Sequence, residues 1–152
     1  GMRLSEAVGL VWGDVMIDHQ FPHINLVPHS WRPLKTSGSK RVVPLIGVSL
    51  QAIKIMHQQS RCTQFLFPSY TNEEKCNGNS ASAALNKWIK AYTKHGVIHS
   101  FRHSFRDRLR AAEINTELTD QLGGWSVSSI GQSYGAGHTL EQKYKAMSKI
   151  VL

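Results

Sequence analysis

The chain has 152 residues, with 18 Lys and Arg against 10 Asp and Glu, and its formal net charge is +8 at pH 7. This length fits one domain with its own core, and a hydrophobic fraction of 41% excludes disorder by composition. No apolar run approaches the ~20 residues of a transmembrane helix, and two cysteines, Cys62 and Cys76, are too few for a disulfide scaffold. We therefore expect a reducing compartment and a polyanionic partner, nucleic acid before an anionic membrane surface.

The first residues are typical of an amphipathic helix. Leu4, Ala7, Val8 and Val11 recur at i, i+3, i+4 and i+7, which predicts a helix over residues 5–10. Because a natural protein rarely begins inside such an element, we expect the chain to be a fragment cut from a longer protein.

A small antiparallel sheet is predicted next. Apolar and polar residues alternate over residues 14–28, which predicts two short strands joined by a polar turn. Residues 31–39 are loop-like, and residues 40–45 form a third short strand, in which Pro44 indicates an end or an edge.

The remainder of the chain is helical in pattern. Ser80 is a plausible N-cap of a helix that buries Trp88 and Tyr92. The spacing predicts helices over 49–59, 80–96, 99–112, 115–124, 126–134 and about 140–150, with Phe101 and Phe105 inward and a Gly123-Gly124 stop. The fold class is therefore α+β, mostly helical, with a small three-stranded antiparallel sheet.

A basic face is predicted at the start of the helix over 99–112. His99, Arg102 and Arg106 are three and four residues apart, so they share a face opposite the Phe pair. Free backbone N–H groups and the helix dipole favour an anion at this end. A phosphate site is one interpretation, and a solvated basic face is the other.

A metal site is not expected from the spacing of the candidate ligands. His99 and His103 have the i, i+4 spacing of a zinc motif, but Ser100 stands where that motif has Glu. Cys62 and Cys76 form no C-x-x-C. Taken individually, Trp125 and Tyr134 are typical core aromatics, and Lys35 is typical of a solvated loop.

The order of the motifs changes this interpretation. The chain contains R-x-x-E at Arg3, a lysine in a turn between two strands at Lys35, and R-V-V-P-L from Arg41. These are followed by H-x-x-R at His99, L-G-G-W-S ending at Ser126, and finally Tyr134. The whole set resembles the catalytic domain of the tyrosine recombinases, the phage integrase family.

The resemblance implies a role for each matching residue. Arg3 and Arg102 would clamp the scissile phosphate, since planar guanidinium groups hold phosphate oxygens bidentately. His99 would hydrogen-bond the phosphate or assist proton removal. Lys35 would be the general acid, although the gap to Arg41 is one residue longer than is common, which leaves Lys40 as the alternative.

The remaining implied roles concern the nucleophile and its surroundings. Tyr134 would attack the phosphorus, release the 5′ hydroxyl and form a 3′-phosphotyrosyl enzyme. Trp125 stands where most members have His, so positioning and packing are expected there rather than proton transfer. Glu6 would orient neighbouring groups.

The resemblance also implies partners and an organisation. Lys40, Arg41 and Arg106 are expected to contact double-stranded DNA, and no metal or other cofactor is required. The expected whole protein is a cytoplasmic, non-membrane recombinase that forms a tetramer on DNA, with residues 1–152 as a catalytic domain lacking its N-terminal DNA-clamping part. The C-terminal helix would dock on a neighbouring protomer or on its own domain. A type IB topoisomerase-like activity and a non-catalytic DNA-binding remnant of a prophage are the alternatives.

Overall fold

The computed structural model describes residues 1–59, 63–125 and 137–151. In this part of the chain, six helices and three strands follow one another in the order α1, β1 to β3, α2 to α6. The helices are α1 (Leu4–Val8), α2 (Gly47–Gln59), α3 (Gly78–Ile89), α4 (Ser100–Ala111), α5 (Thr116–Gly123) and α6 (Leu140–Ser148). The strands are β1 (Val15–Met16), β2 (His23–Leu26) and β3 (Arg41–Pro44).

The sheet is antiparallel throughout, with strand order β1-β2-β3. Ile24 on the central strand pairs with Val15 on one side and with Val43 on the other. The predicted three-stranded sheet is confirmed, and β3 is an edge strand that ends at Pro44, where a missing N–H costs no ladder hydrogen bond to a further strand.

Two apolar clusters form the core. The first joins the sheet to α2 and to the segment after α1, and it is built from Leu10, Val15, Ile24, Leu26, Val43, Leu45, Ile53 and Leu66. The second joins α4, α5 and α6 to the end of β3, and it is built from Ile46, Leu109, Leu118, Leu122, Ala146 and Met147. Helix α6 therefore docks on its own domain in this structure.

Helix α5 has the boundaries that its sequence predicts. The Asn115 side chain accepts a hydrogen bond from the Leu118 N–H, and Gly124 ends the helix in the left-handed region with φ of 62°. The prediction of a capped helix closed by the Gly-Gly pair is confirmed.

Several predictions about α3 and α4 are wrong. Asn77, not Ser80, is the N-cap of α3, because its side chain accepts from the Ser80 N–H. Trp88, Tyr92 and Phe101 are exposed rather than buried, at 58%, 74% and 64% of their surface. Apolar spacing predicts which side chains share a face, but it does not predict whether another element packs on that face. No described element covers these three side chains.

Two further points concern the sequence predictions. The helix predicted over 126–134, including Tyr134, lies outside the described residues, as does Cys62. Within the described ranges, no helix is both long enough and apolar enough to cross a membrane.

Candidate functional site

The carboxylate of Glu6 joins two arginines near the start of the chain. Its Oε1 accepts a hydrogen bond from Nη1 of Arg3 at 2.8 Å, and its Oε2 accepts one from Nη2 of Arg41 at 2.9 Å. Glu6 is 3% exposed. Burial alone raises the pKa of Glu6, but the hydrogen bonds and charges of Arg41 and Arg3 outweigh burial and hold this pKa below its ordinary value.

Arg41 is buried, and its predicted contact with DNA stays a prediction. Besides the Glu6 contact, its Nε donates to the Leu122 carbonyl at 3.1 Å and its Nη1 to the Ser39 carbonyl at 2.8 Å. Only 8% of the Arg41 surface is exposed, and its guanidinium makes its hydrogen bonds inside the domain. It connects α1, the loop before β3 and the end of α5.

Arg102 lies beside this cluster, buried on the inner side of α4. It is 6% exposed, and its Nη1 donates to the carbonyl of Gly1, two residues before Arg3. Burial, reinforced by the positive charges of Arg3, Arg41 and Arg106, lowers the pKa of Arg102 to about 10, although Glu6 partly opposes the shift. Arg102 therefore stays charged at neutral pH, and it is not part of a solvated basic face.

The Trp125 ring lies against two guanidinium groups. The Cζ atoms of Arg102 and Arg106 are 4.5 Å and 4.8 Å from the ring centroid. The ring also stacks on Phe105, with centroids 6.3 Å apart. The Trp125 ring therefore packs through cation–π and stacking contacts, and its predicted role at the phosphate stays a prediction.

His99 is the N-cap residue of α4 and is exposed. Its ring packs edge-on against the ring of His103, one turn further along, with centroids 5.1 Å apart. His99 makes no side-chain capping hydrogen bond. Its imidazole is therefore available at the helix N-terminus, where an anion is favoured.

Lys35 and Lys40 are both exposed on the connection between β2 and β3. This connection returns to the arginine cluster through Ser39, whose hydroxyl accepts from Nη1 of Arg3 at 3.1 Å. The lysines thus share a segment with a residue of the cluster, and the described contacts include no hydrogen bond from either Nζ atom.

The structure brings together part of the predicted residue set. Through direct contacts or their mutual charges, the cluster unites Arg3, Glu6, Arg41, Arg102, Arg106 and Trp125. His99 lies at the start of the helix that carries Arg102, the two lysines lie on the adjoining loop, and Tyr134 lies outside the described residues. Among the described residues, no group of three or more His, Cys, Asp or Glu is placed to hold a metal ion.

Sequence reasoning missed three residues of this cluster. Ser39 contacts both Arg3 and Arg41, and the buried Asp120 accepts a hydrogen bond from Arg106 at 3.1 Å. Gly123 has no side chain where a Cβ would overlap the Trp125 ring. The available signal was the acid within the apolar pattern of α5, since a buried acid requires a cationic or hydrogen-bonding partner.

Comparison with known proteins shows the family of this chain. The chain matches the phage integrase family over residues 1–139, and it belongs to that family. It is 27% identical to the tyrosine recombinase XerC of Neisseria gonorrhoeae over 139 residues, covering 88% of this chain and 42% of the relative. The XerC of Neisseria meningitidis serogroup B is also 27% identical, with 43% of its length covered. The chain thus spans less than half of these relatives, and no solved structure matches it.

Proposed function

We propose that this chain is the catalytic part of a site-specific DNA recombinase that cuts and rejoins strands through a 3′-phosphotyrosyl intermediate. The observation that carries this proposal is the gathering of Arg3 and Arg102, which are far apart in the sequence, into one positively charged cluster. Membership of the phage integrase family and the similarity to XerC support it.

The arrangement of the arginines suits a phosphodiester. The Arg102 charge is buried beside like charges, which is costly unless an anion neutralises it. Nη2 of Arg102 is buried and makes no hydrogen bond to the described residues, which is costly, so we expect a phosphate oxygen to satisfy this donor once the site opens on DNA. Arg3 is a quarter exposed and can complete a two-arginine clamp on the non-bridging oxygens. Such fixed donors stabilise the charge that develops during attack at phosphorus.

The reaction conserves the energy of the phosphodiester bond. The Tyr134 oxygen forms a bond to phosphorus while the bond to the 5′ oxygen breaks, and the tyrosine proton passes to a base such as His99. Lys35 gives a proton to the leaving 5′ oxygen, with Lys40 as the alternative donor. Both proton transfers are needed because a phenol and an alkoxide have pKa values far from neutrality. The reverse reaction with a different 5′ hydroxyl completes recombination.

A trapped covalent intermediate tests the proposal without knowledge of the DNA site. A pool of nicked duplexes of random sequence is incubated with the chain and with the longest continuous protein that contains it. At a cleaved site the short strand diffuses away, so the covalent product persists and is seen on a denaturing gel. We expect a product that is absent for Tyr134→Phe and retained for Tyr92→Phe, a change at an exposed tyrosine.

The same assay distinguishes the two lysines. A duplex recovered from the covalent product is the selected duplex. Lys35→Ala and Lys40→Ala are each tested on it, and the variant that still binds but no longer cleaves identifies the general acid. Absence of any covalent product from the longer protein would contradict the proposed function. A product that survives in Tyr134→Phe would contradict the choice of nucleophile.

A further inference from the structure

Arg106 makes two contacts with side chains of the domain, one with a carboxylate and one with an aromatic ring. Its Nη2 donates to Oδ1 of Asp120 at 3.1 Å, and its Cζ lies 4.8 Å from the centroid of the Trp125 ring. The Asp120 side chain is 6% exposed, whereas that of Arg106 is 38% exposed. A buried carboxylate requires its partner, so this ion pair fixes where the guanidinium can lie.

The fixed guanidinium contacts the same ring that contacts Arg102. Cζ of Arg102 is 4.5 Å from the Trp125 ring centroid. The indole therefore contacts two guanidinium groups, those of Arg102 and Arg106. A cation over a Trp face is attracted by the ring quadrupole. Movement of Arg106 would therefore remove one of the contacts that hold the ring, and a shifted ring would alter its contact with Arg102.

The backbone before Trp125 leaves space for this arrangement. A side chain at Gly123 would overlap the benzene part of the Trp125 ring. Gly123 and Asp120 both belong to α5, so this helix supplies the space for the ring and the anchor for Arg106. The placement of the indole thus depends on α5 as well as on α4.

We propose that Arg106, anchored by Asp120, is a positioning residue that holds the Trp125 indole against Arg102 and so fixes the orientation of the phosphate-binding guanidinium. The proposal rests on the proposed function, in which Arg102 binds the scissile phosphate. It replaces the simpler prediction that Arg106 is a DNA contact.

Fluorine NMR tests the position of the ring directly. The chain has four Trp residues, so 5-fluorotryptophan gives four resonances, and Trp125→Phe identifies one of them. Arg106→Gln and Asp120→Asn should each shift the Trp125 resonance and leave the other three unmoved, which also reports that the domain is folded. Arg110→Gln is the matched control, since Arg110 is an exposed arginine on the same helix and, among the described residues, it pairs only with the exposed Asp107. An unmoved Trp125 resonance in Arg106→Gln overturns the proposal.

Cleavage of the selected duplex separates positioning from DNA contact. Asp120→Asn keeps every positive charge, so if Arg106 only contacts DNA, both DNA binding and the cleavage rate should be preserved or raised. If Arg106 is a positioning residue, Asp120→Asn instead lowers the cleavage rate roughly ten- to a hundred-fold at unchanged DNA affinity. Arg106→Lys should restore part of the rate lost in Arg106→Gln, because a lysine keeps the ion pair. Wild-type cleavage by Asp120→Asn overturns the proposal.

The two proposals fail in different ways. If wild-type protein cleaves no DNA and Arg106→Gln still moves the Trp125 resonance, the proposed function is wrong and the Arg106 contact with the ring stands. If wild-type protein cleaves DNA and the resonance stays in place, the proposed function stands and Arg106 is not the positioning residue.

Discussion

At the scale of single residues, one buried carboxylate organises the arginine cluster. Glu6 accepts from Arg3 and Arg41, and its Oε2 also accepts from the Arg3 backbone N–H at 2.8 Å. These contacts fix Arg3 at the start of α1 and neutralise a buried Arg41. Without the carboxylate, two guanidinium groups would lie close together with no compensating charge.

Replacing Glu6 therefore has a stability cost that depends on pH. Glu6→Gln leaves the buried Arg41 uncompensated, so we expect a loss of about 3–5 kcal/mol in the free energy of unfolding at pH 7. Since the pKa of Glu6 is lowered in the folded state, its stabilisation is present above the ordinary value of 4.5 and is lost as the pH falls through the lower folded pKa. Urea unfolding from pH 7 to pH 3 measures both effects.

A matched control distinguishes this cost from the general effect of acid. Glu141→Gln removes an exposed acid paired with Lys145 on α6, and it should cost less than about 1 kcal/mol. The difference between wild type and Glu6→Gln should shrink as the pH falls below 4.5 through the lowered folded pKa of Glu6, because protonated Glu6 is neutral like the glutamine. A difference that stays constant down to pH 3 would show that Glu6 does not act through its charge.

At the scale of elements, the end of α5 connects the sheet to the helical half. Gly124 ends α5 in the left-handed region, and the Leu122 carbonyl before it accepts from Arg41 on β3. A Cβ at Gly124 would lie 2.5 Å from Nη1 of Arg41. A glycine is therefore required here for both its backbone conformation and the close approach of the guanidinium.

Gly124→Ala should destabilise the domain through both effects. The left-handed conformation alone costs about 1–2 kcal/mol for a residue with a Cβ, and displacement of the Arg41 guanidinium adds to this cost. Gly13→Ala is the control, because a Cβ at Gly13 meets no atom within 4 Å and its φ is not in the left-handed region. Equal free energies of unfolding for the two variants would contradict this account of the turn.

The elements also show what a sequence can and cannot predict. The strands, α5 and α6 follow from local signals, because alternation, an Asn cap and a Gly stop act within a few residues. The burial of Arg41 depends on Glu6, 35 positions away, and so no local pattern indicates it. Conversely, Trp88 and Phe101 have a spacing that is typical of core residues, but both are exposed. Whether such a side chain is buried depends on whether another element packs against it.

The candidate site likewise contains residues that the sequence predicts and residues that it does not. Arg3, Glu6, Arg102 and Trp125 were predicted from motif order, which reflects the chemistry that a phosphodiester requires. Asp120 and Gly123 could not be predicted in this way, because their importance comes from contacts between α4 and α5 that exist only after packing. Motif order thus predicts which groups react, and packing determines which groups hold them.

At the scale of the whole molecule, the count of 18 Lys and Arg overstates how many cations a DNA backbone can meet. Arg3, Arg32, Arg41 and Arg106 are each paired with a buried acid, namely Glu6, Asp14 or Asp120. Arg32 is 2% exposed and lies far from solvent. The charge available at the surface is therefore carried mainly by lysines, including Lys35 and Lys40 on the loop beside the cluster.

The dependence of DNA affinity on salt should report this distribution of charge. For each phosphate neutralised, the slope of log affinity against log salt changes by about 0.9. Lys35→Ala and Lys40→Ala should therefore each reduce the slope by nearly one, because an exposed lysine near the cluster releases one counterion on binding. Lys145→Ala should leave the slope unchanged, since Lys145 lies on α6 and is paired with Glu141 at 2.7 Å. Fluorescence anisotropy with a labelled duplex at several salt concentrations measures these slopes. A change for Lys145→Ala without one for either loop lysine would place the DNA on a different face of the domain, because the slope counts only the cations that meet phosphates.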